Sequence, residues 1–247
     1  MPPLPPPLAY GLTNLAPGLP KRERTRAQLA GAAIQVFAAR GVAGATVQEI
    51  ADVAGMTTGT VYNHFKTREE VQREVALRLA LTLCERIAES QAGVTDGAER
   101  MAIGGRRYAW LAETAPAWAM LMLDVAVAVP ELMAHVQQYV LADLRLGVRQ
   151  KSFRIASEAV AMDFIVGSGM QATRSIALGL ASPGHGADMA ACVLRALGVP
   201  YEKAEQIAHR PLPDFPVPGA VPAARPPGRT AAAKAAPPRA APRRKAA

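Results

Sequence analysis

The stretch TVQEIADVAGMTTGTVYNHFKTREEV, from residue 46 to residue 71, constrains the fold of this chain more than any other part of it. Two Thr-x-x-Glu sequences, which begin at Thr46 and Thr67, have the spacing of helix capping boxes, and Gly55 lies where a helix would end. This pattern predicts two short helices joined by a glycine-containing turn and followed by a longer helix. Two short helices that dock on a third form a helix-turn-helix unit.

The preceding segment, TRAQLAGAAIQVFAARG, supplies the helix on which this unit docks. Its residues at i, i+4, i+7 and i+8 form one apolar stripe and are Leu29, Ala33, Val36 and Phe37. Thr25 with Gln28 has the spacing of a further capping box, and Gly41 marks the expected end of the helix.

The second short helix, about residues 57–64, differs from its neighbours in how it begins. It starts Thr57-Thr58-Gly59-Thr60, with a hydroxyl where the other helices have an acid or an amide. A carboxylate there would repel a phosphate, whereas hydroxyls donate to phosphates and base edges and glycine permits close approach of the backbone. Taken singly, these residues also fit a helix cap, a tolerated glycine and an ordinary surface. Together, behind a basic cluster, they favour contact with DNA.

Positive charge is concentrated in two places. The net charge is +8, and residues 211–247 hold seven cations against Asp214 alone. This basic tail is rich in proline and alanine and has no apolar periodicity, so it is predicted to be disordered. It would either bind nucleic acid loosely through phosphates or act as a solubilising tail, and the sequence favours neither. The second cluster precedes the first helix and consists of Lys21, Arg22, Arg24 and Arg26.

The other end of the chain, residues 1–20, is rich in proline and is predicted to be disordered. It lacks the basic start and the continuous apolar core of a secretory signal. The longest uncharged apolar runs are too short to span a bilayer. Cys84 and Cys192 are far apart and do not suggest a disulfide framework. We therefore expect a soluble, cytoplasmic protein without a membrane partner.

Residues 26–71, RAQLAGAAIQVFAARGVAGATVQEIADVAGMTTGTVYNHFKTREEV, resemble the TetR family (TetR/AcrR) of bacterial transcriptional regulators. Arg68 departs from the family pattern, which usually has lysine before the acidic pair, but it keeps the positive charge. The resemblance implies an all-α fold in which a three-helix DNA-binding domain, residues 21–68, is joined by a long helix to an effector-binding and dimerisation domain, residues 69–210. It also implies a symmetric dimer that binds a palindromic operator through the second short helix of each subunit.

The DNA-facing positions implied by this resemblance, extended by two neighbouring polar residues, are Thr46, Val47, Thr57, Thr58, Gly59, Thr60, Tyr62, Asn63, His64, Lys66 and Arg68. Of these we expect base contacts from Thr58, Thr60 and Asn63. We expect phosphate contacts from Tyr62, His64, Lys66 and Arg68.

From residue 95 to about residue 201 the chain is predicted to form helices broken by proline and glycine, which suits a composition that is half hydrophobic and only 5% aromatic. A stretch rich in methionine and aromatic residues would suit an apolar effector pocket. Its candidate residues are Tyr108, Trp110, Trp118, Met122, Asp124, Met133 and His135. Taken singly, each is more simply explained as part of the core. Gly167 and Gly169 suggest a close backbone approach or a local kink, and the resemblance places a dimer bundle at about residues 157–197.

The function predicted on these grounds is a TetR-type regulator, in particular a repressor that binds its operator as a dimer and is released by a small, apolar effector. One alternative is a nucleoid-type protein that coats DNA through the basic tail. Another is a helical enzyme, but we find no metal-spaced cluster, glycine-rich phosphate loop or nucleophile–base motif, and only Asp124 with His135 as a weak pair. We therefore expect no enzymatic activity and no cofactor.

Overall fold

The structure is a computed structural model that describes residues 3–13, 18 and 20–216. Within these residues the regular structure is entirely helical, as predicted. The helices are α1 Pro6–Thr13, α2 Lys21–Gly44, α3 Val47–Ala54, α4 Thr58–His64, α5 Arg68–Ser90, α6 Gly97–Thr114, α7 Pro116–Ala128, α8 Pro130–Arg149, α9 Glu158–Ala177, α10 His185–Ala196 and α11 Tyr201–Ala208.

Helices α2, α3 and α4 form the predicted helix-turn-helix unit. Thr46 and Glu49 make the complete capping box at the start of α3, and Gly55 ends that helix in the left-handed conformation with φ of 66°. At Gly41 the backbone leaves the helical conformation with φ of 77°, where the sequence predicted an end. The capping box expected at Thr25 is wrong, because α2 already starts after Pro20 and the Thr25 hydroxyl donates within the helix to the carbonyl of Lys21.

The predicted disorder of residues 1–20 is wrong for residues 3–13, which contain α1. Leu4, Leu8 and Leu12 are all buried, with Leu8 fully so, and α1 packs against α5 and α2. Prolines before and within the first turn of a helix cost little, because the first turn has no partner for its amide groups. The spacing of the leucines at every fourth position, rather than the proline content, therefore explains why this segment is helical and packed.

The remaining helices build a second layer around α6, which contacts α7, α8, α9, α10 and α11. One buried cluster joins the helix-turn-helix unit to α5, α6 and α7. A second joins α6 to the four helices α8, α9, α10 and α11. Close backbone approach occurs at Gly97, where a Cβ would lie 2.5 Å from the amide nitrogen of Gly147. At Gly167 and Gly169 a Cβ would meet no described atom of this chain within 4 Å, so the predicted approach is not made within the subunit.

The segment after α11 folds back onto α6 instead of leaving the protein, so the predicted disorder is also wrong for residues 211–216. The ring of Phe215 lies 3.7 Å from the Arg107 guanidinium and 5.2 Å from the ring of Trp110. The Arg107 guanidinium donates to the carbonyl of Pro213. The rest of the basic tail, residues 217–247, lies outside the described part of the chain.

Candidate nucleic-acid interface and buried cavity

Helix α4 has one buried face and one exposed face. Val61 and Phe65 are buried against α2 and α3, whereas Tyr62 is 49% exposed and Asn63 and Lys66 are also exposed. The helix spans two turns and cannot be stable by itself, so its fold depends on this packing. The exposed face therefore combines an aromatic ring, an amide and an amine on a rigidly docked helix.

The beginning of α4 is capped by a threonine. The Thr57 side chain accepts from the amide of Thr60 at 3.2 Å, and the two hydroxyl groups lie 3.0 Å apart. Both α3 and α4 are thus capped by a threonine, but Thr60 stands where α3 has Glu49, so the first turn of α4 carries no carboxylate. Part of the donor capacity that we assigned to DNA is used inside the helix. Thr58 is half-buried, whereas Gly59 is exposed.

The two residues at the start of α3 that were predicted to contact DNA differ in exposure. Thr46 is exposed, and its hydroxyl lies 2.9 Å from the Glu49 carboxylate. This hydrogen bond and the one from the Thr46 amide lower the pKa of Glu49. Val47 is half-buried.

The predicted phosphate contacts also differ from one another. Lys66 is exposed, although its Nζ donates to the carbonyl of Tyr62 at 3.1 Å. Arg68 is half-buried, and its guanidinium donates to the carbonyl of Val42, so it joins the start of α5 to the end of α2. Burial and then the nearby charges of Arg22 and Arg26 lower the pKa of His64 below its ordinary value. His64 is therefore neutral near pH 7 and offers a hydrogen bond instead of a charge.

Arg26, counted above among the cations of the basic cluster, instead links three helices. Its guanidinium pairs with Glu74 of α5 at 2.7 Å and donates to the carbonyl of His64 at 2.8 Å. It also lies 4.3 Å from the ring centre of Phe65. Arg26 therefore holds the end of α4 against α2 and α5. Its neighbours Lys21, Arg22 and Arg24 are exposed, but they lie in the first turn of α2, so the expectation that this cluster precedes the helix is wrong.

A cavity of about 190 Å³ lies among α5, α6, α7, α8, α9 and α10. Most of its wall consists of alanine, methionine, valine and glycine. Of the residues predicted to line an effector pocket, Tyr108, Met122 and Met133 do so. Trp118 is instead fully buried in the core, Trp110 packs on Phe215, and Asp124 is exposed. The side chain of His135 lies outside the described residues.

Four of the polar side chains in the cavity wall form two pairs. The Cys84 thiol and the Tyr108 hydroxyl lie 3.3 Å apart, and burial raises the pKa of Cys84 to about 11 and that of Tyr108 well above its usual value. Arg100 and Asp143 form an ion pair of 2.6 Å. Burial raises the pKa of Asp143, and Arg100 opposes this effect. The sequence analysis missed Arg100 and Asp143, because they lie 43 residues apart on different helices and no local pattern joins them.

Helix α5 connects the interface to the cavity. Its 23 residues span about 35 Å at 1.5 Å each. Its first turns carry Arg68 and Glu74, which bind α2, and its last turns carry Cys84 and Ile87, which line the cavity. A shift of its cavity end would therefore reach α4.

Metal-binding clusters and membrane-spanning helices are both absent from the described residues. No three histidine, cysteine, aspartate or glutamate residues there lie close enough together to hold a metal ion. No helix in this part of the chain is both long and apolar enough to cross a membrane.

Comparison with known protein families gives two matches, which together cover most of the described chain. Residues 29–75 match the family described as bacterial regulatory proteins of the tetR family, and residues 96–210 match the tetracyclin repressor-like C-terminal domain.

Curated relatives match a short part of this chain. The transcriptional repressor KstR2 of Mycolicibacterium smegmatis is 40% identical over 62 residues, which are 25% of this chain and 30% of that protein. The transcriptional regulator SrpR of Pseudomonas putida is 47% identical over 53 residues, which are 22% of this chain and 25% of that protein. This chain thus matches between about a quarter and a third of the length of these relatives.

Among solved structures, the fold is similar to that of RolR in complex with the ligand resorcinol. The two chains are 30% identical with a TM-score of 0.69, and the match covers 79% of this chain and 98% of RolR. The regulator FadR from Bacillus subtilis in complex with stearoyl-CoA has a TM-score of 0.54 over 69% of this chain and 96% of its own. At 20% identity, that likeness concerns the fold alone.

Proposed function

This chain belongs to the TetR family of bacterial regulatory proteins, and we propose that it is a repressor that binds a palindromic operator as a dimer and is released by a small effector. The observation that carries the proposal is the placement of the exposed face of α4 at one end of α5 and the cavity at the other. A single rigid helix then joins the surface that binds DNA to the site that binds the effector.

Tyr62, Asn63 and Lys66 are the residues of α4 and its exit that we propose to contact DNA first, because their side chains are exposed. Asn63 can pair with a base edge in the major groove, and Lys66 can neutralise a phosphate. Thr57 and Thr60 could still donate outward if their mutual hydrogen bond yields to a phosphate. Arg68 acts mainly as a support for the unit, since it is bound to Val42.

An exposed apolar face on α9 supports the proposed dimer. Val160 is 66% exposed and Phe164 is 44% exposed, and both lie one helical turn apart on the side away from the cavity. Gly167 continues this face and has open space where a side chain would be, which permits close approach of a second helix. In a dimer built on residues 157–197, the two copies of α4 would lie about 34–36 Å apart or at a multiple of this distance, to match turns of B-DNA.

The cavity sets the size of the proposed effector. Its volume of about 190 Å³ exceeds that of an engineered cavity of about 150 Å³ that admits benzene. A molecule of one ring with small substituents therefore fits, and RolR, the structural neighbour described above, holds a ligand of that size. We propose that binding of such a molecule moves the end of α5 and thereby changes the spacing of the two copies of α4.

The test is a fluorescence anisotropy titration of the full chain with DNA flanking its own gene and with scrambled DNA of equal length. We expect tight binding to the flanking DNA at moderate salt and weak binding to the scrambled duplex. A variant that ends at Pro216 separates this proposal from the nucleoid-type alternative. The regulator should keep its preference and show only a smaller dependence on salt, whereas a coating protein should lose its affinity altogether. Equal affinity for both duplexes would refute the proposal.

A further inference from the structure

The chemistry of the cavity wall narrows the class of ligand beyond its size. Most of the wall is apolar, so most of a bound molecule must be apolar as well. The charges of Arg100 and Asp143 compensate one another at 2.6 Å. A charged ligand would bring a further charge into the cavity without a partner, which is costly in a buried site. The wall therefore favours a neutral molecule.

One polar group of the wall has acceptor capacity to spare. Asp143 is 8% exposed, and its Oδ1 accepts from Nε of Arg100. A carboxylate offers about four lone-pair sites, so this single bond leaves room for a donor from a ligand. Tyr108 differs, because its hydroxyl, which lies 3.3 Å from the Cys84 thiol, is a neutral acceptor. A hydrogen bond to an ionised acceptor is also roughly twice as strong as one between neutral groups.

The same ion pair is connected to the end of α5. Gln91, the residue that ends α5, is 1% exposed, and its carbonyl accepts from the Arg100 guanidinium at 3.1 Å. The Gln91 side chain in turn donates to the carbonyl of Arg100 at 2.7 Å. Asp143 of α8, Arg100 of α6 and the end of α5 thus form one hydrogen-bonded chain along the cavity wall.

We propose that Asp143 is the polar anchor of the cavity, that it selects small neutral ring compounds bearing a hydroxyl group, and that Arg100 transmits their binding to Gln91 at the end of α5. This inference rests on the proposed function for its regulatory part. A ligand hydroxyl that donates to a free lone pair of Asp143 weakens the hydrogen bond that the carboxylate accepts from Arg100. The guanidinium then shifts, and the contacts that hold the end of α5 shift with it.

The anchor is tested by calorimetric titration of the full chain, without DNA, with phenol, resorcinol, toluene and benzoate. We expect the two hydroxylated rings to bind about 10- to 100-fold more tightly than toluene, because a hydrogen bond to a charged group has that effect on affinity. We expect benzoate not to bind. If toluene binds as tightly as phenol, or if benzoate binds best, the proposal is wrong.

Two isosteric variants locate the anchor. Asp143→Asn should remove most of the preference for phenol over toluene, whereas Tyr108→Phe should keep it. The reverse result would assign the anchor to Tyr108 and overturn the proposal. If Asp143→Asn does not fold, as judged by circular dichroism, the ligand series on the native chain together with Tyr108→Phe still decides the question.

Arg100→Lys tests the transmission separately. Lysine keeps the charge beside Asp143 but lacks the fork that reaches Gln91 as well. We expect this variant to bind phenol and DNA but to be released from DNA much less by phenol, and undiminished release would exclude Arg100 as the link. Failure of the native chain to prefer any DNA would refute the proposed function, whereas ligand selectivity measured without DNA tests the anchor alone.

Discussion

Tyr62 and Arg68 lie six residues apart, and the sequence analysis assigned both to phosphate contacts, yet their surroundings differ. Tyr62 is exposed on α4, whereas Arg68 donates to the carbonyl of Val42 and is half-buried. Tyr62→Ala should therefore weaken DNA binding about tenfold or more and leave the melting temperature almost unchanged. Arg68→Ala should lower the free energy of unfolding by about 1–2 kcal/mol, because a carbonyl loses a charged donor.

Differential scanning fluorimetry and anisotropy titrations on both variants would measure the two effects. Asp52→Ala provides a control for general effects of substitution, because Asp52 is an exposed residue near the end of α3. A large loss of thermal stability in Tyr62→Ala, with none in Arg68→Ala, would contradict the assignment of roles.

The two cysteines should differ strongly in reactivity. Cys192 is exposed, whereas Cys84 is buried in the cavity wall and burial raises its pKa to about 11. Since the thiolate is the reactive form, alkylation of a single subunit at pH 8, where no partner covers α10, should modify Cys192 quickly and Cys84 slowly. The rate at Cys84 should rise as the pH rises towards 11, which mass spectrometry of a Cys192→Ser variant would show. Fast alkylation of that variant at pH 8 would mean that Cys84 is accessible.

At the residue scale, the sequence predicted which side chains are exposed better than it predicted which residues they contact. The outward positions of Tyr62 and Asn63 follow from the spacing of Val61 and Phe65, which identifies the buried face of α4. The roles of Arg26 and Asp143 could not be predicted in this way. Each depends on a partner many residues distant, and a charged residue has the same appearance in the sequence whether it binds phosphate or a carboxylate.

At the scale of single helices, capping residues and prolines identified most of the boundaries. Pro116 and Pro130 stand at the first positions of α7 and α8, in agreement with the predicted breaks at prolines. Helix α1 was not predicted, because its high proline content suggested disorder. Three leucines at a spacing of four residues are nevertheless buried where this segment packs on α5.

Leu8→Ala tests whether α1 belongs to the folded unit. Leu8 is fully buried, so its truncation should lower the free energy of unfolding by about 2–4 kcal/mol. Val53→Ala, at an exposed position of α3, should change it by less than about 0.5 kcal/mol. Chemical denaturation monitored by circular dichroism would give both values. Equal stability of the Leu8 variant and the native chain would show that α1 does not pack on α5.

At the scale of the whole molecule, the order of the elements accounts for the proposed function. Arg26 connects the end of α4 to the first turns of α5 through the His64 carbonyl and Glu74, and the Arg100–Gln91 contacts connect the end of α5 to the cavity wall. Both units are therefore bound to α5. The family resemblance predicted a DNA-binding domain that is joined by a long helix to an effector-binding domain. The contacts that bind this helix to each domain became evident only from the structure.

In the proposed dimer, two subunits read one operator. Because each chain carries one copy of α4, a two-fold symmetric dimer must bind a two-fold symmetric site. Phe164→Asp would place a charge on the apolar face of α9 and should convert the dimer to a monomer without unfolding it, since Phe164 is 44% exposed in the single subunit.

Selection of binding sites from a random duplex library tests the central claim most directly. The native chain should enrich a two-fold symmetric motif whose half-sites are centred about one turn of B-DNA apart, or a multiple of it, and the Phe164→Asp variant should fail to enrich the paired half-sites. Recovery of no sequence motif by the native chain, or of a single asymmetric motif bound equally well by both proteins, would contradict the account.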